Sequence, residues 1–242
     1  MPYLAKILLL DAHPSDYPFN LDVFKNGFEL SLQRNVTFLI GENGTGKSTI
    51  IEGIAEQCGF NPSGGNRNHY YDFHKTESRL SDYLRLSWTN KVGQGFFMRA
   101  ESFFNFATHI DNLAKEDRSI LQAYGGKSLH EQSHGESFLS LFNNRFQKGI
   151  YILDEPEAAL SPQRQLTFLS IIHKLEKQGK AQFIIATHSP ILLAYPNASI
   201  YSLDDGRISS VSYKETTHYT LTKHFLESPE SYFRHLFANS DD

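Results

Sequence analysis

The stretch Gly41-Glu42-Asn43-Gly44-Thr45-Gly46-Lys47-Ser48-Thr49 fits the pattern G-x-x-x-x-G-K-[ST] in full. Its residue types point to anion binding. Glycines let the backbone curl until successive N–H groups point at one anion. A helix beginning at the end of the loop adds a partial positive charge at the same place. The Lys47 ammonium suits β- and γ-phosphates and the Ser48 hydroxyl suits Mg²⁺, while Asn43, Gly44, Thr45, Gly46 and Thr49 complete the cradle. The apolar run Val36-Thr37-Phe38-Leu39-Ile40 leads in as a buried strand, and Ser48 to Glu56 leads out as a helix. That strand–loop–helix setting is the one the motif requires, so the expected ligand is a nucleoside triphosphate with Mg²⁺.

Two further groups stand at strand ends. Gly149-Ile150-Tyr151-Ile152-Leu153 runs straight into Asp154-Glu155-Pro156. Adjacent carboxylates at the end of a buried strand are costly unless a cation or a reaction uses them. Beside a phosphate loop, Asp154 is placed to share Mg²⁺ with Ser48, and Glu155 to orient and polarise an attacking water. Hydrolysis needs little beyond positioned water, metal and charge neutralisation. His188 follows the next buried strand, in Ala186-Thr187-His188-Ser189-Pro190. Strand ends on one edge of such a sheet converge on the ligand crevice, which makes His188 a candidate γ-phosphate contact. Lys47, Glu155 and His188 are therefore the candidate catalytic residues.

Phosphate loop, Asp-Glu strand end and strand-end His, in that order, resemble the ABC-type ATPases over nearly the whole chain. That family carries a signature peptide, LSGGQ or LSGGE, before the Asp-Glu strand. Here Gln132-Ser133-His134-Gly135-Glu136-Ser137 stands there, matching at Ser133, Gly135 and Glu136 and departing at Gln132 and His134. A Ser hydroxyl and backbone N–H groups at a helix start form an anion site. The resemblance implies that Ser133, Gly135 and Glu136 serve a partner subunit's γ-phosphate, so that two copies sandwich two ATP molecules head to tail. Ala158-Ala159-Leu160-Ser161 takes the place of the dimer-contacting loop, with Ser161 where transport ATPases usually have Asp. GENGTGKST, RAESFFN, SHGES, DEPEAALSP and ATHSP together look like small bacterial ATPases of the non-transporter branch, which includes SMC-like and overcoming-lysogenization-defect-like proteins. The family's Q-loop glutamine, a nucleotide and metal contact, matches Gln94 by position, with Arg99 and Glu101 as alternatives. Tyr17 or Phe19 is placed to face adenine, Phe19 being also a core candidate.

The elements that must position these groups read as an α/β fold. It is a phosphate-loop NTPase core with a mainly parallel sheet, an antiparallel N-terminal β part and an inserted helical lobe. The alternating Gly27–Leu32 run predicts a half-exposed strand, Ser81 to Thr89 another, and Ala181–Ala186 a buried one. Gly59 to Asn68 reads as loop, and Arg99 to Ala114 as helix. Pro162 to Lys177 reads as a helix with Pro in its first turn and Gly179 after its end. A hairpin turning at Asp204-Asp205-Gly206 and a terminal helical segment from Tyr219 to Phe237 close the chain. The expectation is a single domain over 1–242, with 1–58 and 147–242 as the nucleotide-binding core and 59–146 as the largely helical lobe.

Composition narrows the rest. The 242 residues, with 40% hydrophobic and 21% charged, suit a globular chain rather than a disordered one. A net charge of −4 argues against bulk attraction to DNA or anionic membrane, though not against a local basic groove. The single cysteine, Cys58, excludes an intrachain disulfide framework and fits a reducing compartment, here the cytoplasm. No apolar run is long enough to cross a membrane, so direct insertion is not expected. The leading expectation is a soluble ATPase that dimerises on ATP and switches a protein or nucleic-acid partner. Three alternatives are the nucleotide-binding subunit of a membrane transporter, a small-molecule kinase, and a non-enzymatic ATP-gated binding module. A GTPase is disfavoured because Asn90-Lys91-Val92-Gly93 lacks the Asp of N-K-x-D.

Overall fold

Four of the strands are short runs dominated by apolar side chains that are buried on both faces, the pattern of a parallel sheet covered by helices. The computed structural model describes residues 1–61, 79–100, 103–131, 134–145 and 148–237. In chain order these form β1 (Leu4–Leu9), β2 (Glu29–Ser31), β3 (Val36–Ile40), α1 (Lys47–Gln57), β4 (Leu84–Trp88) and β5 (Gly95–Arg99). Then follow α2 (Phe103–Glu116), α3 (His134–Arg145), β6 (Gly149–Asp154), α4 (Pro162–Lys177), β7 (Ala181–Ala186) and a short α5 (Pro190–Leu193). The chain ends in β8 (Ser199–Ser202), β9 (Ser209–Ser210), α6 (Thr217–Glu227) and α7 (Pro229–Leu236). Among the described residues there are two sheets. One has six strands in the order β5-β6-β7-β3-β8-β9; the other has three, β2-β1-β4. The larger is parallel throughout except for β9, and the smaller is antiparallel.

The large sheet divides the core in two. On one face, Val36, Phe38 and Ile40 of β3 join Phe138, Leu141 and Phe142 of α3 and Phe168 and Ile172 of α4. On the other, Leu39 joins Ile50, Ile51, Ile54 and Ala55 of α1 and the inner side of the small sheet. Alternation along β3 therefore sends successive side chains to opposite layers. α1 lies between the two sheets, whereas α3 and α4 cover the far face. Each of these large side chains contributes about 1.5–3 kcal/mol by leaving water. Phe103, Phe106, Phe138 and Phe142 of the middle third belong to this core: Phe138 stacks on Phe142 at 4.7 Å between centroids, and Phe142 meets Phe168 edge-on at 4.7 Å.

Residues 84–99 correct the expected boundary of the helical lobe at 59–146. β4 pairs with β1 in the small sheet, and β5 pairs with β6 at the edge of the large one. Helix begins only at Phe103, so Arg99 closes a strand rather than opening a helix. A five-residue run such as Gly95-Phe96-Phe97-Met98-Arg99 carries no decisive period. Most of the Gly59–Asn68 loop lies outside the described residues. The terminal helical segment divides into α6 and α7 at Ser228-Pro229, because Pro229 suits the first turn of a helix.

Gln182 joins the sheets. Its side chain is fully buried in β7, and its amide donates to the Leu4 carbonyl while accepting from the Leu4 N–H, both at 2.8 Å. Gln182→Leu would strand both backbone groups. We expect it to cost about 2–6 kcal/mol, at about 1–3 kcal/mol for each unsatisfied group. Urea unfolding of the variant against wild type checks this.

Candidate active site

The loop after β3 is shaped by its glycines. Gly44 and Gly46 have φ of 85° and 96°, a region where a side chain is strained, and Gly46 forms the N-cap of α1. The Thr45 hydroxyl donates to the Glu42 carbonyl at 2.9 Å, and the Glu42 N–H donates to Asp204 at 2.9 Å. Asn43 and Gly44 are exposed, Ser48 and Thr49 half-buried. Lys47 is buried and its Nζ donates to the carbonyls of Gly41 and Glu42, at 2.6 and 3.0 Å. Burial lowers its pKa, opposed by the charges of Glu155, Asp154, Asp204 and Glu42. The lysine is thus surrounded by carboxylates and held against its own loop.

β6 delivers Asp154 to the same edge. The carboxyl is 4% exposed, and burial pushes its pKa up to about 6, against the pull of the Arg99 guanidinium and the nearby Ser48 hydroxyl. Arg99 Nε lies 3.3 Å from its Oδ2, and the same guanidinium pairs with Glu52 of α1. Asp154 Oδ1 has no hydrogen-bond partner among the described residues. A buried carboxylate oxygen without a donor, beside a serine hydroxyl at a helix start, fits a hard divalent cation such as Mg²⁺. No cluster of three or more His, Cys, Asp or Glu suited to a metal lies among the described residues. Mg²⁺ commonly takes only one or two protein carboxylates together with substrate phosphates.

Glu155 departs from the strand direction. Its φ and ψ are 48° and 52°, left-handed for a residue with a Cβ, while its N–H still bonds the Ala186 carbonyl at 2.9 Å. Such a conformation costs about 1–3 kcal/mol and concentrates at functional sites. The bend leaves the carboxylate 43% exposed, with Oε1 3.7 Å from His188 Nε2. His188 follows β7 and is half-buried. Its N–H donates to Glu157 at 2.6 Å, and the Thr187 hydroxyl donates to the other Glu157 oxygen at 2.7 Å. Burial raises the Glu157 pKa and these two bonds oppose the rise.

The structure gathers Lys47, Ser48, Thr49, Asp154, Glu155 and His188 at one sheet edge. It adds Tyr17, 64% exposed, whose hydroxyl lies 3.2 Å from Thr49 Oγ1, while Phe19 is buried and stacks on His13. Gln94 is a correction. It is exposed, and its carbonyl accepts from Ile150 N–H at the start of β5 and β6. Because β5 is parallel to β6 with Gly95 opposite Ile150 and Arg99 opposite Asp154, Gln94 leaves at the wrong edge to touch metal or phosphate. Arg99 holds the expected place. Gly135 and Glu136 sit at the start of α3, on the far face of the sheet from α1. A Cβ on Gly135 would come within 2.4 Å of Arg164 Nη1, and Arg164 pairs with Glu136 at 3.1 Å. Glu101, Gln132 and Ser133 lie outside the described residues. Cys58 is buried at the end of α1. Glu157, Asp204 and His218 escape sequence reading because their partners are about 30 residues away or more.

Residues 133–194, from the signature peptide through the strand-end His, match a family model described as "AAA domain, putative AbiEii toxin, Type IV TA system". The chain is 22% identical over 223 residues to the tungstate uptake system ATP-binding protein TupC of Campylobacter jejuni, over 80% of this chain. The match spans 66% of TupC, just under two thirds of its length. Among solved structures, cbiO1 of Clostridium perfringens, part of the ABC transporter complex cbiONQ, superposes with a TM-score of 0.50 at 18% identity, covering 95% of this chain and 97% of that one. An SMC head bound to the C-winged helix domain of ScpA gives 0.52 at 14% identity, covering 87% and 98%. The fold is that of an ABC-type ATP-binding domain. No described helix is long and apolar enough to cross a membrane.

Glu157 accepts from two donors at once, and a glutamine can offer only one oxygen. Glu157→Gln is expected to lower stability by about 1–3 kcal/mol, seen as an earlier denaturant midpoint with unchanged slope.

Proposed function

We propose that the chain is an ABC-type ATPase, of the non-transporter branch, that binds ATP with Mg²⁺, closes head to tail on a second copy and hydrolyses the γ-phosphate to switch a protein or nucleic-acid partner. The observation that carries this reading is the convergence of Lys47-Ser48, Asp154-Glu155 and His188 at the carboxyl edge of one parallel sheet. In this reading Lys47 exchanges its two loop carbonyls for β- and γ-phosphate oxygens, and loop N–H groups hold the same oxygens. Ser48 and Asp154 would hold Mg²⁺, which would supply charge neutralisation. Glu155 accepts a proton from the attacking water as its oxygen bonds to the γ-phosphorus and the bond to ADP breaks. His188 donates to the γ-phosphate. Tyr17 offers an exposed ring near Thr49 for the adenine.

The placement of α3 supports a dimer. Gly135 and Glu136 are held on the opposite face from the phosphate loop of the same chain, so they suit a second copy's nucleotide. Phe96, Phe97, Phe103, Phe106, Phe138 and Phe142 of the middle third are buried in the core, which weighs against a nucleic-acid surface built from them. With a single buried cysteine, we assign the chain to the cytoplasm. Similarity to TupC and cbiO1 favours a second reading, the nucleotide-binding subunit of a membrane transporter. The departures at Gln132, His134 and Ser161 weigh against it. Co-purification of the tagged chain with an integral membrane protein decides for the second reading.

Lys47→Ala should abolish ATP binding measured by calorimetry, and unaltered turnover would remove the proposed site. Glu155→Gln should lower turnover about 100-fold or more while keeping ATP bound. It should accumulate a dimer in light scattering with ATP and Mg²⁺; a monomer under those conditions contradicts the closed pair. Ser133→Arg should spare binding and stop hydrolysis, and normal turnover in that variant removes the signature assignment.

A further inference from the structure

His188 is held from a second side. Its Nδ1 lies 3.0 Å from Nε2 of His218, with ring centroids 5.2 Å apart. His218 stands in the first turn of α6. The buried Thr216 caps that turn, its hydroxyl accepting from the Tyr219 N–H at 3.2 Å, which fixes where His218 enters the site. Glu157 meanwhile grips the main-chain N–H of His188. Ring and backbone of His188 are therefore both positioned, and only Nε2 is left to face Glu155.

Two imidazole nitrogens at 3.0 Å share one proton, and the question is which ring owns it. Suppose His188 donates from Nδ1. Its Nε2 then turns a lone pair toward the Glu155 carboxylate, 3.7 Å away, and His218 keeps a proton on a buried Nδ1 that has no partner among the described residues. Suppose instead that His218 donates from Nε2. His188 then carries its proton on Nε2, toward the Glu155 carboxylate 3.7 Å away, and the groups left without a hydrogen bond are that N–H and a lone pair on His218 Nδ1. Each arrangement leaves one buried N–H without a hydrogen-bond acceptor, but the first sets a lone pair against a carboxylate, whereas the second points an N–H dipole at that negative charge. That electrostatic difference favours the second arrangement. It is compatible with a neutral His218 whose single proton sits on Nε2. Burial lowers the pKa of that ring, helped by the charges of His188 and Lys47 and opposed by Asp204 and Glu42.

We propose that His218 is a positioning residue: by donating from Nε2 to His188 Nδ1, it holds His188 in the tautomer that presents an Nε2–H to the terminal phosphate. The assignment rests on the ATPase reading for its kinetic consequence but not for its structural one. It makes the C-terminal helices part of the hydrolytic site, because any movement of α6 withdraws the donor that orients His188.

Long-range ¹⁵N–¹H spectra of histidine-labelled, nucleotide-free protein test the pairing directly. The expected result is His188 protonated at Nε2 and bare at Nδ1, with that preference lost in His218→Phe; His188 protonated at Nδ1 in the wild type overturns the proposal. In steady-state hydrolysis, His218→Phe should lower kcat about 10- to 100-fold, the range typical when the hydrogen-bonded partner that orients a functional histidine is removed. KM for ATP should stay within about twofold. His218→Gln, whose amide can donate from nearly the same position, should recover most of the loss. His218→Asn, one bond shorter, should not recover it, and it replaces the Phe variant if that fails to fold. Unchanged kcat in a folded Phe or Asn variant overturns the proposal. A wild-type chain that binds but does not hydrolyse ATP defeats the ATPase reading alone, and the spectra still decide the tautomer.

Discussion

In a parallel sheet every strand leaves at the same edge, and β3, β6 and β7 leave carrying a phosphate loop, a carboxylate pair and a histidine. Their register fixes how these groups meet: Leu39 stands opposite Ala186, and Asp154 opposite Ala186 from the other side. One residue of slip along β6 would turn Asp154 to the opposite face. The register is protected because both faces are buried, against α1 and the small sheet on one side and against α3 and α4 on the other. Gln182, hydrogen-bonded to both polar groups of Leu4, ties the small sheet to β7 at the other end of the same strand.

The edge that results concentrates unfavourable terms. Asp154 is buried enough to raise its pKa to about 6, Lys47 loses solvation, and Glu155 occupies a left-handed backbone that glycine would fill more easily. Each has partial compensation nearby. Arg99 sits between Asp154 and Glu52, the loop carbonyls satisfy Lys47, and the N–H of Glu155 remains in the ladder. What stays uncompensated is informative. Asp154 Oδ1, His188 Nε2 and His218 Nδ1 are three of the four buried side-chain polar atoms without a partner among the described residues, and all three belong to this edge. Buried polar atoms are nearly always hydrogen-bonded, so their gathering here is the signature of groups kept ready for a ligand.

Local pattern made much of this legible. The glycine-lysine-serine spacing, the apolar runs of β3, β6 and β7, and the Pro162 start of α4 are properties of a few consecutive residues, and they were read from those residues. Failure began where the period was ambiguous. Phe96-Phe97-Met98 is as compatible with a buried helix as with a buried strand, which leaves β5 inside the expected helical lobe. Gln94 matches the Q-loop glutamine by its place after the Ser81–Thr89 run, which says nothing of whether it reaches the ligand edge. The direction of β5 places Arg99 there instead. Glu157, Asp204 and His218 carry no local signal, because each works through a partner brought in from a distant strand or helix. His218 is the extreme case, since only the folding back of α6 places it beside His188.

The sheet that collects one half of the site also separates it from the other half. α1 and its phosphate loop lie on one face, and the start of α3, with Gly135 and Glu136, lies on the opposite one. Arg164 packs against Gly135 in the space a side chain there would need. Within one chain a core of stacked phenylalanines lies between Gly135-Glu136 and the phosphate loop. On the ATPase reading, closure must therefore come from a second copy, and the chain alone is poised rather than complete. α6 is different, for it crosses back to the phosphate-loop edge and places His218 against His188. The chain thus contributes two kinds of control to one site. On the proposed reading, pairing with a second copy would supply a missing wall, and the seating of α6 would set the proton on a wall already present.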